Sequence, residues 1–204
     1  ISPLTASGKT VLRYDDVTAT EPSTFDWPDI DEDSAAAMCY TSGTTGNPKG
    51  VVYSHRSSYL HSMMICTANA LGLGCSDTVL PIWNDVLNCL EKSGGHDISS
   101  LRLVACGGSA VPVSMMKTFQ EKHRVTILQA WGMTETSPLA TVAWPARDTT
   151  GDEHWALRST AGRPMCGVEA RIVDDDGNPL PHDGKAVGEV EVRGPWITGG
   201  YYRG

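Results

Sequence analysis

Eleven residues in the first quarter of the chain combine the groups that bind a polyanion. The segment from Tyr40 to Gly50 reads YTSGTTGNPKG, with three glycines, four serine or threonine hydroxyls and one lysine, Lys49. Glycines let the backbone approach a ligand closely. Exposed N–H groups, hydroxyls and an ammonium supply hydrogen-bond donors to phosphate oxygens. The segment is therefore predicted to bind phosphate.

The residues after the lysine distinguish this loop from that of a kinase. A Walker loop reads G-x-x-x-x-G-K-[ST] and leads from a strand into a helix. Here Lys49 is followed by Gly50 and then by Val51, Val52 and Tyr53, residue types that favour a strand. We expect the loop to join two strands and to lie over a nucleotide, whereas a helix beginning at Lys49 would indicate a kinase. The plain alternative is a flexible surface loop.

Two further motifs follow two predicted strands. Gly107 to Ser109 comes directly after the apolar run 101–106. The segment from Ala130 to Thr136 begins at the end of a second apolar run, which starts at residue 125. Pro112 suits the first turn of a helix between them. Strand, helix and strand make a βαβ unit with parallel strands. Both motifs then lie at the carboxyl edge of one sheet, where open α/β sheets bind ligands.

The order and content of these motifs resemble those of the adenylate-forming enzymes, the family of acyl-CoA synthetases, firefly luciferase and peptide-synthetase adenylation domains. Tyr40 to Gly50 is similar to the signature loop, Ala105 to Ala110 to the adenine-side glycine motif, and Gln129 to Thr136 to the aromatic-Gly-x-Thr-Glu motif. Gly188 to Tyr201 resembles the next segment of the family. The resemblance implies an α/β fold: part of the family's N-terminal domain, with a parallel βαβ sheet and a small antiparallel β subdomain.

Residue chemistry and the resemblance assign the same roles. An acyl-adenylate forms when a carboxylate attacks the α-phosphate of ATP and expels pyrophosphate, so the protein must position the groups and neutralise charge. The catalytic candidates are Lys49, Thr134 and Glu135, and Glu135 is also the candidate ligand of Mg²⁺. Lys49 and Thr134 are expected to bind the nucleotide as well. The other nucleotide-binding candidates are Thr41, Ser42, Gly43, Thr44, Thr45, Gly46, Gly107, Gly108, Ser109, Ala130, Trp131, Gly132 and Met133.

Each of these candidates has a plainer interpretation. Glu135 could be an acid at the start of a helix, favoured by the helix dipole. Trp131 could be a core residue, and Lys49 a solvated loop lysine. The convergence of three motifs on one sheet edge favours the functional interpretation.

The remaining pattern divides the chain into three regions. Residues 1–34 form a surface segment with at most one strand, near Val11 to Tyr14. Residues 35–161 form the α/β nucleotide-binding core, and residues 162–204 form a small β subdomain with antiparallel strands. Asp174 to Gly177 is predicted to be a hairpin turn.

Two helices of the core region follow from apolar spacing. Ser54 caps a predicted helix whose apolar stripe runs to Leu71 and is ended by Gly72 and Gly74, with methionines 63 and 64 in the core. A second helix begins near Trp83 and is ended by glycines 94 and 95.

The resemblance also implies missing parts. Trp83 follows Ile82 at once, where relatives carry several tens of residues that include part of the acyl pocket. The chain ends at Gly204, before the family's ribose-binding aspartate, hinge and C-terminal domain with its catalytic lysine. Either residues of the protein are missing from this sequence, which we favour, or the protein itself carries deletions; a sheet stripped of its neighbours would expose large apolar patches.

Composition excludes several classes. A net charge of −8 argues against a nucleic-acid surface. Six cysteines without a C-x-x-C pair indicate free thiols in a reducing cytosol, so a cytoplasmic location is expected. No run is long enough to span a bilayer, and no signal peptide is visible. We expect all six histidines to be structural, since none has metal-like spacing, and Gly108 to Ala110 lacks the elbow of a serine hydrolase.

The favoured function is that of a fatty-acid–CoA ligase: a carboxylic acid is activated by ATP to an acyl-adenylate and then passed to CoA as a thioester. The stretches Gly50 to His55 and Cys106 to Val111 look most like that branch. The expected ligands are ATP, Mg²⁺, CoA and a small carboxylic acid, and a homodimer is left open. Aryl-acid and amino-acid activation remain alternatives. A non-catalytic nucleotide-binding remnant is another, if the polypeptide ends at Gly204.

Overall fold

The computed structural model describes residues 12–41, 46–68, 70–72, 77–79, 83–93 and 95–203. The chain divides into two units, Ile1–Asp31 and Glu32–Gly204. The described part of the first unit holds one short helix, α1 (Tyr14–Thr18). The expected strand near Val11 to Tyr14 is therefore wrong at Tyr14, and Val11 lies outside the described residues. Aspartates 15 and 16 in the first turn explain the difference, because acidic side chains stabilise a helix N-terminus.

The second unit begins with the predicted strand–loop–strand arrangement. Strands β1 (Ala35–Tyr40) and β2 (Gly50–Ser54) are antiparallel, and Tyr40 is paired with Gly50. The residues after Lys49 thus form a strand, as predicted. This excludes a Walker loop, which would run into a helix at that point.

Helix α2 (His55–Ile65) follows β2 directly. Ser54 caps it as predicted: its hydroxyl accepts from the Ser57 N–H at 3.0 Å, and the Ser57 hydroxyl accepts from the Ser54 N–H at 3.0 Å. This reciprocal pair satisfies two backbone donors at the helix start.

Helix α2 ends six residues before the predicted end of its apolar stripe. The chain leaves the helix through turns, in which the Thr67 hydroxyl donates to the Met64 oxygen at 2.7 Å and the Leu71 N–H donates to the Ile65 oxygen at 3.3 Å. Leu71 is buried by this turn and not by a helix face. The prediction that Met63 lies in the core is also wrong, since Met63 is 52% exposed. Gly74 lies outside the described residues.

The main sheet has five strands in sequential order. They are β3 (Asp77–Val79), β4 (Leu103–Cys106), β5 (Thr126–Gly132), β6 (Leu139–Val142) and β7 (Arg163–Pro164). Strands β3, β4 and β5 are parallel, which confirms the predicted βαβ unit, and β6 and β7 add antiparallel pairs. Strands β6 and β7 and the later helix α5 (Gly151–Arg158) were not predicted from the sequence.

Helices α3 (Trp83–Ser93) and α4 (Val113–Thr118) cover one face of this sheet. Trp83 and Phe119 are buried and meet edge to face, with ring centroids 5.7 Å apart. Phe119 begins a π-helical turn, residues 119–123, that continues α4. Pro112 is the residue before α4, one position earlier than predicted.

Strand β4 is buried on both faces, as a central parallel strand should be. Val104 and Cys106 pack with Phe119 on the α4 side, whereas Leu103 and Ala105 point to the opposite side. The cluster on that opposite side includes Leu71, Leu128, Val142, Met165, Val168 and Trp196. Leu71, from the first half of the second unit, and Trp196, near its end, therefore share one hydrophobic cluster.

The last strands form the predicted small antiparallel sheet, in the order β10 (Glu189–Arg193), β8 (Glu169–Val173) and β9 (Pro179–Leu180). The predicted turn is present, because the Gly177 N–H donates to the Asp174 oxygen at 3.0 Å and the Asn178 N–H donates to Asp174 Oδ1 at 2.8 Å. Over the described residues, no helix has the length and apolar character needed to cross a membrane.

Candidate functional site

The glycine-rich loop is closed at its base by two hydrogen bonds between Thr41 and Lys49, one to a main-chain oxygen and one to a side-chain hydroxyl. The Thr41 N–H donates to the Lys49 oxygen at 3.0 Å, and the Lys49 N–H donates to the Thr41 hydroxyl oxygen at 3.1 Å. The first of these bonds extends the β1–β2 ladder by one step beyond Tyr40 and Gly50, at the base of the glycine-rich loop. Gly46 is exposed on it. The remaining candidates, Ser42, Gly43, Thr44 and Thr45, lie outside the described residues.

The ammonium of Lys49 stands over an aromatic ring from the far end of the chain. Its Nζ lies 4.7 Å from the centroid of the Tyr201 ring, a cation–π geometry. The Lys49 side chain is otherwise at the surface, where an ammonium can reach phosphate oxygens.

The glycine motif lies where β4 and β5 end side by side. A side chain at Gly107 would place its Cβ 2.7 Å from the main-chain oxygen of Ala130, closer than non-bonded atoms allow. Glycine is therefore required for the two strand ends to lie this close. Ser109 and Gly108 follow at the surface, and the Ser109 oxygen accepts from the Gln129 amide at 3.3 Å. The structure thus brings Gly107 and Ala130 into contact, as their shared sheet edge predicted.

The Thr-Glu motif forms a tight turn after β5. A Cβ at Gly132 would lie 1.8 Å from the Pro138 oxygen, so the chain can fold back here only on a glycine. The Met133 N–H donates to the buried Thr136 hydroxyl at 2.8 Å, which holds the turn from residue 134 to residue 136. Thr134 and Glu135 are left partly exposed at its tip.

Glu135 is held by two contacts from the last described segment. Its Oε1 accepts from the Tyr201 hydroxyl at 2.7 Å, and its main-chain oxygen accepts from the Thr198 N–H at 2.9 Å. Glu135 Oε2 makes no hydrogen bond to another described residue. No group of three His, Cys, Asp or Glu residues that could hold a metal ion occurs among the described positions. One available carboxylate suits Mg²⁺, which takes few protein ligands and completes its shell with phosphate oxygens and water.

Tyr53 ties the strand after the glycine-rich loop to the Thr-Glu turn. Its hydroxyl donates to the main-chain oxygen of Thr134 at 2.7 Å. Burial raises the pKa of Tyr53 to about 12, with smaller contributions from Cys39 and from the Glu135 carboxylate. The phenol is therefore a neutral donor at physiological pH.

Trp131 and Met133 occupy different environments. Trp131 is partly buried against the hydrophobic cluster on the Leu103 side of the sheet, which agrees with the plain core interpretation. Met133 is 45% exposed beside the turn.

Four of the predicted nucleotide-binding residues, Gly107, Gly108, Ala130 and Gly132, line one cavity of about 510 Å³. A cavity of this size is typical of small-molecule sites. The other lining residues are mostly apolar, and they are His61, Ile65, Leu71, Ala105, Pro138 and Leu139. The cavity can therefore receive an apolar group next to the glycine motif.

His61 is the one buried histidine among the described residues. Its Nε2 accepts from the Leu139 N–H at 3.3 Å, and its ring meets the Trp196 ring edge to face at 5.7 Å. Burial lowers the pKa of His61, so the neutral ring that can accept this hydrogen bond is favoured. His61 thereby holds the first residue of β6, which forms part of the cavity wall.

The structure gathers the candidates into two neighbouring groups. Lys49, Thr134 and Glu135 meet around Tyr53 and Tyr201, whereas the glycines and Ala130 line the cavity. Tyr53, Tyr201 and His61 are the site residues that sequence reasoning missed. Tyr53 and Tyr201 lie inside or beside the recognised motifs, and this position could have marked them as site residues. Nothing in the spacing of the histidines distinguished His61 from the others.

Comparison with known proteins places these features in one family. The family model described as "AMP-binding enzyme" matches residues 3–81 and 67–202. The 3-methylmercaptopropionyl-CoA ligase of Ruegeria lacuscaerulensis is 36% identical over 93% of this chain, and the medium-chain-fatty-acid–CoA ligase of Ectopseudomonas oleovorans is 34% identical over 94% of it. In both cases the chain covers 45% of the relative, so it spans about half the length of the curated relatives it matches.

Solved structures share the fold. A long-chain-fatty-acid-CoA ligase from Archaeoglobus fulgidus superposes with a TM-score of 0.74 over 96% of this chain and 49% of its own, at 22% identity. An anthranilate CoA ligase in complex with anthranoyl-AMP gives a TM-score of 0.71 over 94% of this chain and 45% of its own, at 21% identity.

The alignments also reveal an internal difference in length. The match to the Ruegeria lacuscaerulensis protein extends over 244 positions, although the whole chain has 204 residues. The relative therefore carries several tens of residues that have no counterpart here. The family model likewise matches in two pieces, which overlap over residues 67–81.

Proposed function

Because the chain belongs to the AMP-binding enzyme family, we propose that its protein is a fatty-acid–CoA ligase that uses ATP to join a carboxylic acid to CoA. The observation that supports this proposal is that Lys49 and Glu135 both contact the side chain of Tyr201. A cation for phosphate oxygens and a carboxylate for Mg²⁺ are thus held beside the same short segment.

In the first half-reaction, a carboxylate oxygen of the acid attacks the α-phosphorus of ATP. The bond to the bridging oxygen breaks, and pyrophosphate leaves with its electron pair. Lys49 and the hydroxyls of the glycine-rich loop hold the β- and γ-phosphates, and Thr134 donates to the α-phosphate. Glu135 would hold Mg²⁺, which would supply positive charge against the negative charge that develops on the phosphate oxygens.

In the second half-reaction, the thiol sulfur of CoA attacks the acyl carbonyl of the adenylate. The thioester forms, the thiol proton is released, and AMP leaves as a phosphate monoester. The AMP moiety is held by the strand ends at Gly107 and Ala130. Because Gly107 and Gly108 carry no side chains, a purine can lie close to the backbone there.

The apolar cavity supports a fatty acid as the substrate. Gly107 and Ala130 form part of its wall, so a hydrocarbon group within it would lie beside the backbone proposed to hold AMP. The names of the medium-chain and long-chain fatty-acid ligases among the relatives favour the same substrate class. Aryl acids and amino acids are the competing substrates, since related proteins are named for coumarate activation and peptide synthesis.

We further propose that the residues found only in the relatives belong between Ile82 and Trp83. The two pieces of the family match overlap over residues 67–81, just before this junction. Ile82 lies outside the described residues, and Trp83 begins helix α3. We retain the regions 1–34, 35–161 and 162–204 as surface segment, nucleotide-binding core and β subdomain.

Pyrophosphate–ATP exchange tests the proposed function. The purified protein is given ATP, Mg²⁺, labelled pyrophosphate and a panel of fatty, aryl and amino acids. We expect exchange that depends on a fatty acid, and acyl-CoA on addition of CoA. Exchange with amino acids alone would overturn the fatty-acid assignment. Binding of ATP without exchange for any acid would favour a non-catalytic nucleotide-binding protein.

A further inference from the structure

The segment from Thr198 to Tyr202 returns to both halves of the proposed phosphate site. The Tyr202 N–H donates to the Gly50 oxygen at 2.8 Å, at the start of the strand after the glycine-rich loop. The Thr198 N–H donates to the Glu135 oxygen in the Thr-Glu turn. The five residues from Thr198 to Tyr202 thus span the gap between the two motifs.

The side chain of Tyr201 contacts a charged group at each end. Its hydroxyl donates to Glu135 Oε1 at 2.7 Å, and the Lys49 ammonium lies over its ring at 4.7 Å. The hydrogen bond to Glu135 raises the pKa of Tyr201, because loss of the proton would place a second negative charge beside the carboxylate. The phenol is therefore a neutral donor that faces a carboxylate, with its ring facing a cation.

This arrangement concerns two opposite charges, those of Lys49 and Glu135. An ammonium and a carboxylate at the surface pair with each other when they come within about 4 Å. In the described part of the chain, Lys49 and Glu135 make no ion pair, and each contacts Tyr201 instead. The hydrogen bond engages one carboxylate oxygen, Oε1, and leaves Oε2 available.

We propose that Tyr201 is a positioning residue that keeps the Lys49 ammonium and the Glu135 carboxylate apart, so that one can bind phosphate and the other Mg²⁺. This inference rests on the proposed function. Without the phenol hydroxyl, the carboxylate is free to turn toward Lys49 and to neutralise both groups. Without the ring as well, Lys49 loses the surface that fixes its ammonium.

Two substitutions separate these contributions. Tyr201→Phe keeps the ring under Lys49 and removes the donor to Glu135, whereas Tyr201→Leu removes both. Tyr202→Phe is the matched control, because the Tyr202 hydroxyl makes no hydrogen bond to another described residue and its side chain is 49% exposed.

The first measurement is ATP binding by the purified protein as Mg²⁺ is titrated, followed by calorimetry. We expect Tyr201→Phe to need about tenfold more Mg²⁺ for half-maximal binding, the effect of one charge-assisted hydrogen bond. Saturating Mg²⁺ should restore the wild-type ATP affinity in this variant. In Tyr201→Leu, saturating Mg²⁺ should leave ATP affinity weakened, since Lys49 is no longer fixed. Tyr202→Phe should match the wild type throughout.

A second measurement distinguishes positioning from simple anchoring. In a Glu135→Gln background, Tyr201→Phe should no longer alter the Mg²⁺ requirement, because the carboxylate that it positions is gone. If Tyr201→Phe lowers the unfolding temperature but leaves the Mg²⁺ requirement of the otherwise wild-type protein unchanged, Tyr201 is an anchor only and the inference is wrong.

The two proposals can fail separately. A wild-type protein that exchanges pyrophosphate, with an unchanged Mg²⁺ requirement in Tyr201→Phe, overturns the role of Tyr201 alone. A wild-type protein that binds no ATP at any Mg²⁺ concentration overturns the proposed function and the role of Tyr201 together.

Discussion

The Tyr53 hydroxyl and the Thr134 main-chain oxygen lie 2.7 Å apart, although 81 positions separate the two residues in sequence. This hydrogen bond joins the strand that leaves the glycine-rich loop to the turn that carries Thr134 and Glu135. The loop hairpin and the edge of the main sheet belong to different sheets. One partly buried donor therefore helps to set the distance between the two proposed phosphate-binding elements.

Removal of this donor should uncouple the two elements. We expect Tyr53→Phe to lower the free energy of unfolding by about 1 kcal/mol, the usual value of one hydrogen bond. Pyrophosphate exchange should fall by more than the loss of folded protein explains, because Thr134 is no longer held. Urea denaturation and exchange rates on the same samples check this. Equal losses in the two measurements would mean that Tyr53 only stabilises the fold.

The raised pKa of Tyr53 gives a pH dependence with a definite sign. The phenol ionises near pH 10 in the unfolded chain and at about 12 in the folded protein. Between these values the folded state holds the proton that the unfolded state has lost, so stability falls as the pH rises from 10 to 12. Tyr53→Phe should remove the part of the stability loss between pH 10 and pH 12 that comes from this phenol.

Lys49 and Glu135 should matter to chemistry and little to folding. Both side chains lie at or near the surface, so Lys49→Ala and Glu135→Ala should change the free energy of unfolding by less than about 0.5 kcal/mol. Each should slow single-turnover adenylate formation by about a hundredfold, the cost of one lost transition-state contact. Lys185→Ala, at an exposed loop lysine, is the control. Wild-type adenylate formation in both variants would refute the assigned roles.

Two glycines should be irreplaceable for steric reasons. Gly132→Ala places a methyl group 1.8 Å from the Pro138 oxygen, and Gly107→Ala places one 2.7 Å from the Ala130 oxygen. Because both obstacles are backbone atoms, we expect losses of about 1 to 3 kcal/mol in the free energy of unfolding, and more at Gly132 than at Gly107. Urea denaturation measures both. Gly199→Ala, with no atom within 4 Å of the added methyl, should be neutral.

Local signals predicted the elements that carry the site. The β-branched residues after Lys49 predicted a strand, and β2 is there; the apolar runs around the glycine motif predicted the parallel pair β4 and β5. Ser54 predicted its helix cap. In each case the signal lies within a few residues of the structure that it specifies.

The features that were not predicted depend on contacts between residues that are distant in the sequence. Leu71 continues a helical apolar pattern, yet it reaches the core through a turn, in which its N–H donates to the Ile65 oxygen. Strand β6 is short and pairs antiparallel to β5 only because Gly132 allows the chain to return. The contact of Tyr201 with Glu135 links residues 66 positions apart. No local pattern encodes such a pairing.

His61 offers the sharpest test of the cavity wall, because its role depends on protonation. His61→Leu leaves the partly buried Leu139 N–H without its acceptor, which should cost about 1 to 3 kcal/mol of unfolding free energy. His61→Gln keeps an acceptor on a side chain of similar reach and should recover part of that loss. Urea denaturation at pH 8 compares the three proteins.

The pH dependence of the same proteins separates the hydrogen bond from simple packing. Burial lowers the pKa of His61 in the folded state, so the unfolded chain binds a proton first as the pH falls. Wild-type stability should therefore be complete above the unfolded pKa of about 6.5 and should decline as the pH drops through it. His61→Leu and His61→Gln carry no such proton, so the advantage of the wild type over each should shrink between pH 7 and pH 5. A constant difference across that range would mean that His61 contributes only its shape, since a ring that is protonated equally in both states gives stability no pH dependence.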